Sequence, residues 1–210
     1  MQPFQQHTGR AVALRRDNID TDQIVPAEFC KRVTKSGYED ALFANWRKEP
    51  GFVLDRPENA GATVLVAGRN FGIGSSREHA VWALKDGGFA VVIAAGFGDI
   101  FQRNALNNGL LPVDQPLPVV ERLAAAVESD PGVRLTVDLE RCVVTLGAER
   151  WDFTVNARAR RLLLAGHDAI SATLRHAELI SRYERGRAAY LPDLRGPRAV
   201  EAGPRAVGGA

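Results

Sequence analysis

The segment Thr63–Lys85, TVLVAGRNFGIGSSREHAVWALK, contains the pattern that decides the fold of this chain. Its first part, Thr63–Ala67, is an unbroken apolar run of the kind found in β-strands that are buried on both faces. Its last part, Glu78–Lys85, has the apolar spacing of a helix, and the Gly87-Gly88 pair would end that helix. The glycines, serines and charged residues between the two runs therefore lie at a strand-to-helix junction.

The same alternation continues downstream of the junction. Ala90–Ala94 is a second apolar strand, Asp99–Asn107 is a second helix, and Leu110–Val113 is a short third strand. Strands that alternate with helices predict an α/β fold, in which neighbouring strands pair in parallel and helices cover the sheet. The other predicted elements are a strand over 11–14, a short helix within 27–50 where Tyr38, Leu42, Phe43 and Trp46 have helical spacing, helices over 118–129, 157–164 and 169–185, strands over 133–139 and 142–146 that form a hairpin, and a strand over 150–155.

The composition predicts one globular domain followed by a tail. Hydrophobic residues make up 45% of the 210 residues and charged residues 25%, a balance that is typical of folded domains. We predict that the domain covers residues 1–185. From Gly186 to Ala210, Arg, Gly, Pro and Ala dominate, and we expect this segment to be mostly disordered.

Charge and hydropathy argue against nucleic acid and membranes as partners. The formal net charge is +2, and the segment 184–210 accounts for it with five Arg against three acidic residues. A nucleic-acid-binding domain usually carries a basic stripe on its folded body, whereas the rest of this chain is formally neutral. No run approaches the roughly 18–20 apolar residues of a membrane span, and the first residues show no secretory signal. We therefore expect a cytoplasmic protein.

The cysteine count limits the metal chemistry of this chain. It has two cysteines, Cys30 and Cys142, and four histidines without paired ligand spacing. An iron–sulfur cluster usually needs three or four thiolates, so this chain cannot hold one alone. We predict no metal site here, and any metal that the chemistry requires must come from another chain.

Ser75-Ser76-Arg77-Glu78 fits the S-x-x-E capping box that often begins a helix. In that structural interpretation Ser75 is the N-cap, Glu78 bonds back to it, and Gly72 and Gly74 provide a tight turn. The interpretation requires no function of any of these residues.

Arg77 favours a functional interpretation of the same junction. A helix N-terminus already carries a positive partial charge, so an arginine in the first turn is unfavourable for the helix. The same arginine is well suited to bind a carboxylate or phosphate. A positive pocket would also favour the alkoxide of Ser75, which could then remove a proton from a carbon beside a carboxylate.

Other glycine-rich motifs do not fit the spacing. A dinucleotide-binding G-x-G-x-x-G motif needs glycine where the chain has Arg77, and a nucleophile elbow needs glycine where it has Glu78. The Gly-Lys-Ser/Thr of a P-loop is absent. A nucleotide site is therefore not predicted.

Three segments in order carry a resemblance to a known family: NIDTDQIVPAEFCKRVTKSGYEDALF at 18–43, NFGIGSSREHAVWAL at 70–84 and GDIFQRNALNNGLLPV at 98–113. The G-S-S-R-E sequence resembles the signature of the swivel domain of the aconitase superfamily. Together the three segments resemble the small subunits of 3-isopropylmalate dehydratase. The resemblance is strong over roughly residues 10–115 and implies a swivelling β/β/α domain with a mixed sheet and flanking helices.

The resemblance also implies a reaction and a partner. In this family a large subunit carries a [4Fe–4S] cluster whose free iron holds the substrate hydroxyl and carboxylate, and the small subunit closes over it. The reaction dehydrates 2-isopropylmalate to 2-isopropylmaleate and rehydrates it to 3-isopropylmalate, in leucine biosynthesis. This chain would bind no cofactor itself and would be active only with the large subunit.

Roles for single residues follow from the motif match. Ser75 would be the catalytic base or acid, and Ser76 and Arg77 would bind the substrate carboxylate and stabilise the serine alkoxide. Lys31 or Arg32 would lie in the loop that contacts the variable group of the substrate and could bind a second carboxylate, although the two could equally be a solvated charge pair. The site scaffold would be formed by Asp20, Thr21, Asp22, Gly72, Gly74 and Glu78, although Asp20–Asp22 could equally be a turn with capping side chains. His79 is expected to pack or to form local hydrogen bonds.

Three rival hypotheses remain open at this level. The chain could serve a related hydro-lyase, such as a homoaconitase, a citraconate hydratase or a dimethylmalate hydratase. It could be a non-catalytic anion-binding domain in which Ser75 is only a cap. It could bind nucleic acid through its tail, which predicts salt-dependent DNA binding that is lost on truncation at Gly186.

Overall fold

The computed structural model describes residues 1–188 and 190–191, and the chain divides into two compact units, Met1–Ile170 and the segment from Ser171 onward. Most of the tail for which we predicted disorder, together with its proposed role in binding nucleic acid, lies outside the described residues. None of the described helices is long and apolar enough to cross a membrane.

A seven-stranded mixed sheet forms the first unit, in the order β4-β3-β2-β1-β5-β6-β7. The strands β1 to β4 pair in parallel, and β1, β5, β6 and β7 pair in antiparallel fashion. The predicted parallel half and the predicted hairpin are thus both confirmed. The bounds are Gln6–Leu14 for β1, Val64–Phe71 for β2, Val91–Phe97 for β3, Leu111–Asp114 for β4, Arg134–Asp138 for β5, Val143–Leu146 for β6 and Glu149–Asp152 for β7.

Strand β1 joins the two halves of the sheet because it divides its length between two partners. Residues 6–10 pair with β5, and residues 11–14 pair with β2. Gly9 lies beside this change of partner, and a Cβ atom there would stand 1.9 Å from Thr63 Oγ1. The close approach explains why the strand has a glycine in its interior.

Helices cover both faces of the sheet. The helical elements are α1 (Thr21–Ile24), α2 (His79–Asp86), α3 (Asp99–Asn108), α4 (Leu117–Ser129), α5 (Ala157–Ala165), α6 (Ala169–Leu174) and α7 (Ala177–Arg185), with 3₁₀ turns at Ala27–Lys31, Trp46–Lys48, Val53–Asp55 and Pro57–Asn59. The single helix predicted over 169–185 is wrong, because a turn at Arg175-His176 separates α6 from α7. Neither helix buries a residue, so no packing against the core stabilises a single continuous helix over this segment.

The hydrophobic core consists of two clusters, one for each face of the sheet. Alternate residues of β2 belong to different clusters: Leu65 and Ala67 join α2 and α3, and Val64 and Val66 join α4. This is why the strand is apolar at every position from Val64 to Ala67.

The segment around Tyr38 and Phe43 is buried but is not the helix that its spacing predicted. Tyr38, Leu42 and Phe43 have no exposed surface and belong to the cluster of α2 and α3. The backbone forms turns between 39 and 45 instead, and Phe43 has a φ of 51° that no right-handed helix permits. The short helix predicted from this spacing is therefore wrong, and turns bring these side chains into the core.

Candidate functional site

Helix α2 begins three residues later than the capping box predicts. Its first residue is His79, and its N-cap is Glu78, whose side chain forms no capping hydrogen bond. Ser75 is therefore not the cap of this helix, and the capping-box interpretation is wrong. Residues 75–78 instead form a connection between the end of β2 and α2.

The capping box of this region lies in α1. Asp20 Oδ1 accepts a hydrogen bond of 2.8 Å from the Gln23 amide, and Gln23 Oε1 accepts one of 2.9 Å from the Asp20 amide. The capping turn considered for Asp20 is confirmed. It fixes α1 beside the chain that follows β2, where Asp20 and Ile73 form a parallel bridge.

Thr21 connects α1 directly to Ser75. The oxygen Thr21 Oγ1 lies 2.9 Å from Ser75 Oγ, and it accepts a hydrogen bond of 3.2 Å from the Ser75 amide. Thr21 is buried, with 1% of its surface exposed, whereas Ser75 is exposed. The threonine hydroxyl has two acceptors within reach for its own proton, Ser75 Oγ and, at 3.5 Å, the Ser75 carbonyl.

Arg77 is held at the same edge by Asp22. The guanidinium forms a salt bridge with the Asp22 carboxylate, and this hydrogen bond raises the pKa of Arg77 above its ordinary value. The cation is therefore permanent at any working pH. Asp22 accepts from Nη1, and a guanidinium has further N–H donors that a ligand carboxylate can use.

Helix α3 holds the connection 76–78 from the other side. Asn104 donates a hydrogen bond of 3.3 Å to the Ser76 carbonyl, and Asn108 donates one of 3.0 Å to Glu78 Oε1. The indole nitrogen of Trp82 also donates to Asn108 Oδ1, at 3.2 Å. Glu78 is thus held by α3, and its side chain forms no cap. The i, i+4 spacing of the two asparagines is the signal that the sequence offered for this contact.

Two glycines provide the bend between β2 and Ser75. Gly72 has a φ of 72° and Gly74 one of 94°, values that L-residues adopt rarely. A Cβ atom on Gly72 would also stand 2.3 Å from Phe101 Cγ, so the bend lies directly on α3. The scaffold prediction for both glycines is consistent with this geometry.

His79 is enclosed at the beginning of α2. Its ring centroid lies 4.8 Å from that of Trp82 and 5.6 Å from that of Tyr38, and its buried Nδ1 atom has no hydrogen-bond partner. Burial first and the neighbouring Arg77 second lower the pKa of His79, and Glu78 opposes them. The ring is a packing element, as expected.

The two basic residues predicted to meet the substrate have different surroundings. Arg32 donates two hydrogen bonds of 2.7 Å to the Asp40 carboxylate. Lys31 ends a 3₁₀ turn and is exposed. Cys30, in the same 3₁₀ turn, is partly buried and packs against the core cluster that contains α2 and α3.

The gathered residues form an open edge and not a closed pocket. Ser75 and Ser76 are both exposed. Two surface pockets of about 370 and 360 Å³ lie at the end of β1, where Arg15 lines both, and Ser75 lines neither. The described residues also contain no group of three His, Cys, Asp or Glu side chains that could hold a metal ion. A reaction at Ser75 needs a second surface to exclude water.

Comparison with known proteins decides the family. Residues 1–118 match the family model of the aconitase C-terminal domain, and residues 121–157 match the model described as LeuD_N. The 3-isopropylmalate dehydratase small subunit of Acidothermus cellulolyticus is 55% identical over 195 residues, which are 93% of this chain and 99% of that protein. The chain belongs to the 3-isopropylmalate dehydratase small-subunit family.

Other members of this family support the same assignment. The 3-isopropylmalate dehydratase small subunits of Streptomyces griseus and Salinispora tropica are 53% and 50% identical, over 91% and 92% of this chain and 98% and 100% of those proteins. The crystal structure of the 3-isopropylmalate dehydratase from Methanocaldococcus jannaschii has a TM-score of 0.63 and 28% identity, over 85% of this chain and 99% of that one. The family and the mixed α/β fold predicted from the sequence are confirmed.

Proposed function

We propose that this chain is the small subunit of a hydro-lyase that converts 2-isopropylmalate to 3-isopropylmalate through 2-isopropylmaleate, and that Ser75 exchanges the proton. The observation that carries the proposal is the contact of 2.9 Å between Ser75 Oγ and the buried Thr21 Oγ1. It leaves Ser75 exposed at the edge with a buried hydroxyl behind it that is able to donate to its oxygen. That arrangement suits a serine that must hold a negative charge.

In this proposal Ser75 Oγ removes the proton from a carbon next to a carboxylate. The C–H bond breaks, its electron pair forms the double bond, and the hydroxyl leaves from the adjacent carbon. Rehydration reverses the steps with the two carbons exchanged. Thr21 donates to the Ser75 alkoxide, and the permanent charge of Arg77 favours the alkoxide over the alcohol.

We assign the substrate carboxylate to Ser76 and Arg77. Both follow Ser75 directly, and α3 fixes the backbone of Ser76 through Asn104. For the second carboxylate or the variable group, Lys31 is the better candidate. The guanidinium of Arg32 is already engaged in a bidentate pair with Asp40, which a substrate would have to displace.

The partner in this proposal is a large subunit that carries the [4Fe–4S] cluster. Two cysteines are fewer than such a cluster needs, so the donor set of this chain does not fit it. Both are free thiols, which suits a reducing compartment such as the cytoplasm. The open edge around Ser75 is the surface that we expect the large subunit to cover.

The test is turnover of 2-isopropylmalate by this chain alone and in an anaerobic mixture with a cluster-loaded large subunit. We expect activity in the mixture alone, and its loss in Ser75→Ala with assembly intact. Ser129→Ala, which changes an exposed serine at the end of α4, is the matched control and should stay active. Assembly without turnover of 2-isopropylmalate would redirect the assignment to related 2-hydroxy diacids. Full activity of Ser75→Ala would remove the serine from the mechanism.

A further inference from the structure

The parallel pairing of β1 with β2 is interrupted and then resumes in the same register. The pairing along the two strands ends with Leu14 beside Ala67, and beyond the interruption Asp20 forms a bridge with Ile73. The separation in sequence is the same in both pairs. The two segments that lie between these pairs, 15–19 and 68–72, therefore have equal lengths and must bend away and return together.

Each of these two segments has one asparagine in the left-handed conformation. Asn18 and Asn70 both have a φ of 54°. Each directly precedes a side chain with no exposed surface, Ile19 in one segment and Phe71 in the other. Asparagine adopts this conformation more readily than most residues that have a side chain. The two segments thus bend at matching positions before the next side chain of each enters the core.

The two asparagine side chains contact each other across the bend. Asn70 Nδ2 donates a hydrogen bond of 2.8 Å to Asn18 Oδ1, and the Asn18 amide donates one of 2.8 Å to the Arg69 carbonyl. Both asparagines are exposed, so water could satisfy their side chains equally well. Glycine would also adopt the same φ without any side chain. The backbone conformation alone therefore does not explain why two amides face each other here.

Beyond the bend, hydrogen bonds connect the two segments as far as Ser75. The Ile19 carbonyl accepts one of 2.7 Å from the Gly72 amide. The Ile73 carbonyl accepts one of 2.9 Å from the Thr21 amide. Thr21 Oγ1 then accepts from the Ser75 amide at 3.2 Å and lies 2.9 Å from Ser75 Oγ. A shift of one segment against the other at the asparagines would therefore displace this last contact.

We propose that Asn18 and Asn70 are positioning residues. Their hydrogen bond keeps the two segments in register and so holds Thr21 Oγ1 against Ser75 Oγ. The inference rests on the proposed function, in which Ser75 exchanges the proton. The pair acts on the geometry of the reacting oxygen and not on the substrate. Because misalignment of a reacting group raises the barrier of the chemical step, loss of the pair lowers kcat and leaves KM nearly unchanged.

Two variants at one position separate the side-chain contact from the backbone conformation. Asn18→Gly keeps the left-handed backbone but removes the acceptor of Asn70. Asn18→Asp keeps both, because aspartate also adopts this conformation and its carboxylate can accept from Asn70 Nδ2. Asn45→Gly is the matched control, since Asn45 is an exposed asparagine outside both segments whose Oδ1 accepts from Lys48 Nζ at 3.0 Å.

The variants are compared with wild type after assembly with the large subunit. For Asn18→Gly we expect kcat for 2-isopropylmalate to fall by about 3- to 10-fold, the effect of one lost hydrogen bond, with KM within about twofold. Asn18→Asp should recover most of this loss, and Asn45→Gly should match wild type. In the full chain without the large subunit, hydrogen exchange in peptides that cover Thr21 and Ser75 should be faster in Asn18→Gly, and exchange in α4 should not change.

Four results would overturn the inference: an unchanged kcat in Asn18→Gly, an effect on KM alone, equal losses in Asn18→Gly and Asn18→Asp, or unchanged exchange around Ser75. If Asn18→Gly does not assemble, Asn70→Gly removes the donor from the other segment and should produce the same fall in kcat. An inactive wild-type complex would sink the proposed function. An active wild type that Asn18→Gly matches in kcat, KM and exchange would sink this inference alone.

Discussion

Ser75 and Thr21 lie 54 positions apart in sequence, yet their hydroxyl oxygens are in hydrogen-bond contact. At the scale of single residues this contact replaces the local one that the sequence suggested. In a serine that caps its own helix, the side-chain oxygen accepts a hydrogen bond from a backbone amide. Ser75 instead shares its oxygen with a buried hydroxyl, which leaves the group available for proton transfer.

Replacement of Thr21 by valine tests the role of that hydroxyl. Thr21→Val keeps the branched shape and removes the donor, so the Ser75 alkoxide loses a stabilising hydrogen bond. We expect kcat of the assembled enzyme to fall by about 100-fold, as for the loss of one oxyanion donor, with little change in KM.

Thr8→Val is the matched control for this experiment. Thr8 Oγ1 also contacts another hydroxyl, Thr136 Oγ1 at 2.8 Å, but between β1 and β5. Equal kcat values for Thr21→Val and Thr8→Val would contradict the proposed role of Thr21.

His79 predicts a dependence of stability on pH. Its pKa is lowered from 6.5 in the folded chain, chiefly by burial, so below pH 6.5 the unfolded chain binds a proton more readily than the folded one. The free energy of unfolding should therefore fall on acidification. His79→Phe keeps an aromatic ring against Trp82 and Tyr38 and should lose less stability between about pH 7.5 and 5.5, measured by urea titration.

His7 also contributes to the pH dependence of stability and therefore limits the effect that His79→Phe can have. Its pKa is also lowered, mainly by burial, so its contribution has the same sign and remains in the variant. The variant should thus show a smaller pH dependence and not a flat one. Parallel curves for variant and wild type would mean that the His79 ring takes up its proton as easily in the folded state.

At the scale of elements, the beginning of α2 is set by its neighbour α3. Asn108 links the two helices, since its amide donates to Glu78 and accepts from Trp82. The local sequence of α2 contains no information on this contact. The S-x-x-E pattern could therefore not reveal that the helix begins at His79.

Asn108→Ala tests this link between helices. The variant leaves the Trp82 N–H and the Glu78 carboxylate without their partner, and we expect a loss of about 2 kcal/mol in the free energy of unfolding. Asn107→Ala is the control, because Asn107 is the exposed neighbour in the same helix. Urea titration of both variants measures the difference, and a similar loss in the two would show that only helix propensity is at work.

The segments that the sequence predicted well are those whose burial is complete. Val64–Ala67 of β2 and Val91–Ala94 of β3 are apolar at successive positions because both faces of the sheet are covered there, and that pattern requires no knowledge of the partner. The helical spacing of Tyr38, Leu42 and Phe43 instead arises because turns, and not a helix, bring these side chains into the core. The Ser75–Thr21 contact depends on a crossover from β1 to β2, and no local pattern can encode such a distant meeting.

At the scale of the whole molecule, the core ends well before the chain does. In the described part of the sequence no residue beyond Leu163 is buried. We therefore expect a chain that ends at Ile170 to keep the cooperative unfolding of the first unit, with a midpoint in urea close to that of the full chain. A loss of the folded baseline in the shortened chain would show that later residues stabilise the core.

The division of β1 between two partners determines how well this strand tolerates an inserted residue. Its first five residues close the antiparallel half of the sheet, and its last four close the parallel half. A single inserted residue between Arg10 and Ala11 would put one half out of step with the other, because side chains change faces at each position. Both halves depend on β1, because β2 of the parallel half and β5 of the antiparallel half each pair with it. Tolerance of insertions should thus be lowest in this one strand, although it lies at the very start of the chain and contributes none of the proposed reacting groups.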